Sequence, residues 1–311
     1  ERIFFRQAQP FGFILFGRNL KNPKQINDLC QSLRDSVGWN APVMIDQEGG
    51  RVARLGAPHW FEFTPALQQS ENVYAERAFW LRGRLIAENL RLSGIDVNCA
   101  PLGDIAQPDT HHILRNRCYG TDKSQVIINA RALNSGLRHG GISGVLKHIP
   151  GHGRAKLDSH LALPKVLLDQ AVLEDTDFSV FKELKDMDMG MTAHLIFDQL
   201  DPKNPATQSP TVINMIRNEI GFTGLLITDD ISMNALEGNL KTRALKALGA
   251  GCDIVLHCNG VLQEMKLLHQ NSTELAGNSL DRAKLSINNR PTPVSIDILQ
   301  LKEEFESLMN E

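Results

Sequence analysis

The sequence GVLKHIPGHGRAKLDSH occupies residues 144–160 and combines a buried-strand pattern with a run of ionisable side chains. Its first three residues, Gly144-Val145-Leu146, are an apolar run of the kind that ends a buried strand. From Lys147 to His160 the residues are mostly polar, with Gly and Pro at intervals, and no period of 2 or 3.6 runs through them. The pattern predicts a strand followed by a loop, and a polar loop of this length is more often functional than connective.

The same order of an apolar run, a polar tip and a helical segment recurs along the chain. One of the helices should open at Asn22-Pro23 and close at Gly38. Continuous apolar strands that alternate with helices are typical of a parallel sheet covered by helices. The seven strands that we predict are Gly12–Phe16, Pro42–Ile45, Ile95–Ala100, Ser143–Lys147, Met189–Ala193, Leu225–Thr228 and Asp253–Leu256.

Polar residues at the strand tips favour a barrel over an open sheet. An open, doubly wound sheet usually carries a glycine-rich fingerprint after its first strand, but here Gly17-Arg18-Asn19 follows that strand. In a (β/α)8 TIM barrel the strand tips meet on one catalytic face. The ionisable residues at the tips are Asp46, Asp104, Lys147 with His148, His194 and Asp229. We therefore expect an α/β fold, a (β/α)8 TIM barrel in which residues 1–311 form one catalytic domain and the first strand, lost by truncation, precedes Glu1.

The composition is that of a globular protein without a large charged field, with 311 residues, 42% of them hydrophobic, and a formal net charge of −3. Such a surface does not suit nucleic acid or an anionic membrane, and no apolar run approaches the ~20 residues that cross a bilayer. The five cysteines are scattered without CxxC spacing, as in a reduced cytoplasmic protein. We expect a cytoplasmic monomer that binds a small molecule.

Two pairs of residues are candidates for acid, base or nucleophile, and each has a simpler interpretation. Asp229 could attack an anomeric carbon with Asp230 as its support, or Asp230 could merely cap the next helix. In Asp158-Ser159-His160 the carboxylate could orient the imidazole as a general acid and base, or the spacing could be accidental in a polar loop.

A third group surrounds the Gly49-Gly50 turn and contains Asp46, Arg51 and Arg54. It could be a surface ion pair of little energetic weight. It could also be a carboxylate and an arginine that hold the hydroxyls and another substituent of a sugar.

The histidines of the 147–160 stretch also allow a metal site. His148, His152 and His160 are separated by gaps of four and eight residues in a Gly/Pro loop rather than on a helix. No HExxH pattern supports zinc, so we expect no metal.

Four motifs, taken in order along the chain from about Gly12 to Asn259, resemble the β-N-acetylhexosaminidases of glycoside hydrolase family 3. The motifs are DQEGGRV at residues 46–52, KHIPGHG at 147–153, DSH at 158–160 and TDDISM at 228–233. Within the family the chain is most similar to the single-domain bacterial enzymes that recycle peptidoglycan. Ile149 stands where Phe is common, and Cys118-Tyr119 where Ser-Phe is common, and neither change removes a catalytic group.

The resemblance implies retaining hydrolysis of a terminal, non-reducing β-linked N-acetylglucosamine, without a cofactor. The implied substrate is N-acetylglucosaminyl-1,6-anhydro-N-acetylmuramic acid, with or without its peptide. Asp229 would be the nucleophile, Asp158 and His160 the acid/base dyad on a mobile loop, and His194 part of the pocket floor. The residues implied to contact the sugar are Asp46, Arg54, Arg117, Lys147 and His148.

Two other functions fit the same residues. A histidine in place of an acidic carboxylate does not repel phosphate, so the enzyme could be a phosphorylase. A chain with every catalytic position occupied could also bind a muropeptide without turning it over.

Overall fold

The computed structural model describes residues 1–157 and 163–310. Its strands are β1 (Phe13–Leu15), β2 (Val43–Ile45), β3 (Val97–Asn98), β4 (Ser143–Ile149), β5 (Lys165–Val166), β6 (Met189–Thr192), β7 (Ile196–Phe197), β8 (Leu225–Asp230) and β9 (Ile254–Leu256). Its α-helices are α1 (Arg2–Ala8), α2 (Pro23–Val37), α3 (Ala66–Ser70), α4 (Ala75–Leu92), α5 (His112–Arg115), α6 (Lys123–His139), α7 (Gln170–Asp175), α8 (Asp177–Glu183), α9 (Pro210–Asn218), α10 (Leu240–Ala250), α11 (Leu262–Asn271), α12 (Gly277–Asn288) and α13 (Ile298–Asn310). Short 3₁₀ helices cover Gly17–Asn19 and Ala206–Gln208.

The chain divides into two compact units, and β4 runs from the first into the second. Unit 1 contains Glu1–Pro101, Ile128–Val145 and Asn289–Glu311. Unit 2 contains Leu102–Ile127 and Leu146–Asn288. None of the helices in the described ranges is long and apolar enough to cross a membrane.

In unit 1 the strand order is β1-β2-β3-β4, and each pair is parallel. All three residues of β2 are buried, as expected for a strand covered by helices. The predicted ends of α2 are confirmed, because the Asn22 side chain accepts a hydrogen bond from the Gln25 N–H and Gly38 closes the helix at φ 78°.

In unit 2 the strand order is β4-β6-β8-β9, and the short pair β5-β7 lies apart from it. Leu225–Thr228 of β8 are buried, and β8 is parallel to both β6 and β9. At the start of β9, the buried Asp253 carboxylate accepts hydrogen bonds from the Leu226 N–H (2.8 Å), Arg217 (2.7 Å) and Arg282 (2.8 Å). This network ties β8 to β9 and so helps to place the end of β8.

All seven strands predicted from the sequence are present, and the expected fold class is confirmed. The strands are parallel and alternate with helices, as in a (β/α)8 barrel one strand short. The predicted loop at 147–160 was wrong at its start, because β4 continues to Ile149, whose carbonyl accepts a hydrogen bond from the Ala193 N–H at 2.9 Å. Lys147 and His148 are therefore strand residues, and Asp229 and Asp230 are the last two residues of β8.

Candidate active site

The carboxylate of Asp229, at the end of β8, lies among groups that favour its charged form. Its Oδ1 atom accepts a hydrogen bond from the Asp230 N–H at 2.8 Å. Burial would raise the pKa of Asp229, but His194, His148, that N–H and the Lys147 ammonium outweigh it and hold the pKa at about 2. Asp229 is therefore ionised at neutral pH, as a carboxylate nucleophile must be.

The carboxylate of Asp230 holds the backbone that follows it. Its Oδ1 accepts hydrogen bonds from the N–H groups of Ser232 (3.0 Å) and Cys258 (3.1 Å), and its Oδ2 accepts one from the Ser232 hydroxyl (2.6 Å). The residues after β8 form a turn, and the next helix begins only at Leu240, so Asp230 does not cap a helix. Its side chain instead fastens this turn to the tip of β9.

A buried carboxylate after β3 orients His148. The Asp104 side chain is fully buried, and its Oδ2 lies 2.7 Å from His148 Nδ1. Its Oδ1 accepts a hydrogen bond from the His152 N–H at 2.7 Å. Burial would raise the pKa of Asp104, but these two histidines lower it on balance. An ionised Asp104 keeps the proton of the His148 ring on Nδ1 and leaves Nε2 as the nitrogen that can meet a ligand.

His152 is a second buried histidine of the same motif. Its Nδ1 atom is buried and has no hydrogen-bond partner among the described residues. Burial, with the nearby His148, lowers the pKa of His152 to about 4 against the opposing charges of Asp104 and Asp229. The ring is therefore neutral at neutral pH.

His194, which follows β6, joins the end of β8 to the 3₁₀ helix at Ala206–Gln208. Its Nδ1 lies 2.8 Å from the Thr207 hydroxyl, and its Nε2 lies 3.1 Å from the Asp230 carbonyl oxygen. Burial lowers the pKa of His194, although Asp229 and Asp230 oppose this shift. Nε2–H can donate to the Asp230 carbonyl, and the Thr207 hydroxyl beside Nδ1 also donates to the Ala193 carbonyl at 3.0 Å.

In unit 1, the loop after β2 pairs Asp46 with Arg54. An Arg54 Nη2 atom lies 3.3 Å from Asp46 Oδ2, and the guanidinium carbon lies 5.3 Å from the centre of the Phe16 ring. The buried Gln47 amide closes this loop, because its Oε1 accepts from the Arg54 N–H (2.8 Å) and the Leu55 N–H (2.9 Å). The carboxylate and the guanidinium are thus presented together on a constrained loop.

A fully buried arginine from α4 supports the same loop. Arg82 donates two hydrogen bonds to the Glu48 carbonyl (3.0 and 2.6 Å) and one to the Thr64 carbonyl (2.9 Å). A Cβ atom on Gly49, which has φ +90°, would lie 2.3 Å from an Arg82 nitrogen. Gly49 therefore allows both the turn and the close approach of the arginine.

The remaining candidate residues are Arg117, Asp158 and His160. Arg117 is half-buried on the loop between α5 and α6, where its N–H donates to the Leu114 carbonyl at 2.9 Å. Asp158 and His160 lie outside the described residues, so the acid/base dyad stays a prediction. Over residues 1–157 and 163–310, no three His, Cys, Asp or Glu side chains are grouped so that they could hold a metal ion.

Sequence reasoning missed the residues that support the candidates. The sequence marked Asp104 as a residue at the end of a strand and Gln47 as a member of the DQEGGRV motif, but it predicted no supporting role for either. Arg82 and Thr207 were not singled out. The signal for Asp104 was its place at a strand tip, whereas Arg82 is a charged residue inside a helix and gave no local signal.

A parallel α/β fold with an ionised carboxylate at a strand end suits a glycoside hydrolase among several classes of enzyme. Comparison with known proteins agrees. Residues 5–287 match the glycosyl hydrolase family 3 N-terminal domain. The chain therefore belongs to glycosyl hydrolase family 3, as its motifs predicted, and it is an enzyme of the glycoside hydrolase class.

The chain is similar to several named relatives. A β-hexosaminidase of Methylobacillus flagellatus is 32% identical over 281 residues, which are 87% of this chain and 80% of that protein. The structure of a glycoside hydrolase family 3 β-N-acetylglucosaminidase from Paenibacillus sp. aligns with this chain with a TM-score of 0.87 and 26% sequence identity. The alignment covers 99% of this chain but only 64% of that protein. NagZ from Neisseria gonorrhoeae, in complex with N-trifluoroacetyl-D-glucosamine, has a TM-score of 0.81 at 28% identity over 96% of this chain and 89% of that one.

Proposed function

We propose that this chain is a retaining exo-β-N-acetylglucosaminidase. It removes the non-reducing terminal N-acetylglucosamine from peptidoglycan fragments, with N-acetylglucosaminyl-1,6-anhydro-N-acetylmuramic acid, with or without peptide, as the substrate. Asp229 attacks the anomeric carbon and forms a covalent glycosyl ester, which water then hydrolyses.

The observation that carries this proposal is the place of Asp229 at the end of β8, where its Oδ1 accepts a hydrogen bond from the Asp230 N–H at 2.8 Å. The surrounding groups lower the pKa of Asp229 to about 2, so its carboxylate is charged at neutral pH, and Asp230 fixes the turn beyond it. The named relatives support the sugar, because they include β-hexosaminidases and a structure that holds an N-acylated glucosamine.

The acid and base are proposed to be His160, oriented by Asp158. His160 protonates the leaving oxygen while Asp229 attacks, and in the second step the same imidazole removes a proton from water. An imidazole has a pKa near 6.5 in the absence of neighbours, so it can hold and release a proton near neutral pH. No cofactor takes part in either step.

The sugar is proposed to be held by Asp46, Arg54, Arg117, Lys147 and His148. The Asp46–Arg54 pair combines an acceptor for hydroxyl hydrogens with a guanidinium donor, and the same loop is fixed by buried groups. His148 offers Nε2, because Asp104 holds Nδ1. His194 is proposed to line the pocket floor.

The setting is proposed to be cytoplasmic peptidoglycan recycling, by a monomer with one catalytic domain over residues 1–311. Its partner is a small molecule, with no nucleic acid or membrane required. The motifs that resemble the single-domain recycling enzymes support this setting, and turnover of purified muropeptides with and without the peptide stem tests the substrate.

Turnover of an aryl N-acetyl-β-glucosaminide tests the chemistry. The wild-type chain should release the phenol and give the β-anomer first in a proton NMR time course. Asp229→Ala should lose nearly all activity, whereas Asp175→Ala, at a carboxylate whose side chain is 78% exposed, should keep it. Full activity of Asp229→Ala, or first release of the α-anomer, contradicts the proposal.

A phosphorylase is the second candidate, and the cationic and imidazole groups around Asp229 favour it, since they suit an incoming phosphate. Product analysis in phosphate buffer separates the two. Hydrolysis yields the free sugar at every phosphate concentration, whereas phosphorolysis yields the sugar 1-phosphate in proportion to phosphate.

A further inference from the structure

Residues 150–157 connect β4 to Asp158, and the structure attaches them closely to residues 105–111. The Gly153 carbonyl accepts a hydrogen bond from the Thr110 hydroxyl at 2.5 Å, and the Ala155 carbonyl accepts one from the His111 N–H at 2.9 Å. A Cβ atom on Gly153 would lie 2.0 Å from the Ile105 carbonyl oxygen. The glycine is therefore needed here for a close approach of two backbones.

One side chain of this stretch reaches further. The Arg154 guanidinium donates to Asp177 Oδ2 (2.9 Å), the Thr176 hydroxyl (3.1 Å) and Gln107 Oε1 (3.3 Å). Asp177 begins α8 and is fully buried. A buried carboxylate is costly without a cationic partner, so this ion pair holds Arg154 firmly against the start of α8.

The chain is attached again just beyond residue 162. The Pro164 carbonyl accepts a hydrogen bond from the Ile196 N–H at 2.9 Å, and Lys165–Val166 pair with Ile196–Phe197 as β5 and β7. Asp158 stands four positions after Arg154, so their Cα atoms are at most about 14 Å apart. The anchor at Arg154 thus limits where the predicted dyad can lie.

We propose that Arg154, through its ion pair with Asp177, is a positioning residue for the general acid of the reaction. This inference rests on the proposed function, in which His160 protonates the leaving oxygen. Misplacement of a catalytic group by about 1 Å can cost about 100-fold in rate. Loss of the anchor should therefore impair protonation of the leaving group and leave attack by Asp229 unchanged.

The leaving group distinguishes these two effects. A 2,4-dinitrophenolate leaves without protonation, whereas a phenolate requires the acid, which typically contributes about 10²–10⁴-fold. The value of kcat/KM reports the glycosylation step for both. A positioning defect lowers kcat/KM for the phenyl glycoside alone, and a general loss of structure lowers both values equally.

The main test uses the full chain with the double substitution Arg154→Met and Asp177→Asn, which removes both charges and leaves no buried charge unpaired. We expect kcat/KM to fall about 10- to 100-fold for the phenyl N-acetyl-β-glucosaminide and to change less than about twofold for the dinitrophenyl one. Lys156→Ala is the matched control. This substitution removes a second ion pair of the same stretch, between Lys156 (side chain 70% exposed) and Asp109 (57% exposed). The variant should resemble wild type on both substrates.

Arg154→Lys provides the second variant. It keeps the charge but loses the fork that contacts three acceptors, so its defect should be smaller than that of the double variant and still confined to the phenyl substrate. If the double variant does not fold, this variant decides the matter alone. Equal losses on both substrates, or no loss on the phenyl glycoside, overturn the role of Arg154. Activity of Asp229→Ala overturns the proposed function instead, so the two failures are distinguishable.

Discussion

Replacement of Asp104 by Asn changes the charge beside His148 with almost no change in shape. In the wild type, Asp104 Oδ2 lies 2.7 Å from His148 Nδ1 and Oδ1 accepts from the His152 N–H at 2.7 Å. The Asn oxygen can still accept from the His152 N–H, but its NH₂ group then faces His148 Nδ1. The imidazole must move its proton to Nε2 or lose the hydrogen bond.

The magnitude follows from the loss of one charge-assisted hydrogen bond in a buried place. Such bonds contribute about 1.5–3 kcal/mol, which is roughly a 10- to 150-fold loss in kcat/KM if His148 holds the sugar in the transition state. Steady-state kinetics on an aryl N-acetyl-β-glucosaminide measures this, with a thermal melt to establish that the variant is folded.

The matched control is Asp109→Asn, on the same stretch, where the Asp109 side chain is 57% exposed. It should change kcat/KM by less than about twofold, because an exposed ion pair contributes little. An Asp104→Asn variant that is folded and retains wild-type kcat/KM would refute the role of Asp104. Equal losses in both variants would refute it as well.

Three further predictions concern stability and ionisation. Asp253→Ala should lower the free energy of unfolding by about 3–5 kcal/mol in urea titrations, because Arg217 and Arg282 lose a buried partner; a loss below about 1 kcal/mol contradicts this. The pKa of His152 is lowered to about 4, below its value near 6.5 in the unfolded chain. Between these two pH values the unfolded chain binds one more proton than the folded chain, so the free energy of unfolding falls as the pH drops from about 6.5 to 4. His152→Gln should reduce the slope of the free energy of unfolding against pH by about 1.4 kcal/mol per pH unit, and an unchanged slope contradicts the prediction. The Asp229 carboxylate, with a pKa of about 2, should show its ionised infrared band down to pH 4 in a difference spectrum against Asp229→Asn; loss of the band above pH 4 would contradict that value.

Much of the fold was predictable because its signals are local. The ends of α2 depend on Asn22, Pro23 and Gly38, whose preferences act within one turn of the helix. Buried parallel strands are continuous apolar runs, so each strand was found within a few residues of its ends. The extension of β4 to Ile149 was not predictable, since it depends on a hydrogen bond from Ala193, far along the chain.

In the candidate site, the sequence predicted the residues that stand in motifs but not the residues that contact them. Lys147 and His148 stand in a motif, but the partner of His148 is Asp104, which lies 44 positions away in the sequence. No periodicity or spacing connects such a pair, because the fold alone brings the two side chains together. The buried position of Arg82 could not be predicted either, because a charged residue in a helix usually faces water.

The covalent ester at Asp229 is the central claim, and trapping it is the most direct test. The wild-type chain should be treated with 2-acetamido-2-deoxy-5-fluoro-β-D-glucopyranosyl fluoride, a slow substrate whose glycosyl-enzyme accumulates, and then examined by intact mass and peptide mapping. We expect a single glycosyl adduct on the peptide that contains Asp229, absent from Asp229→Asn. Steady release of fluoride without an adduct, or an adduct on another residue, would contradict the proposed mechanism.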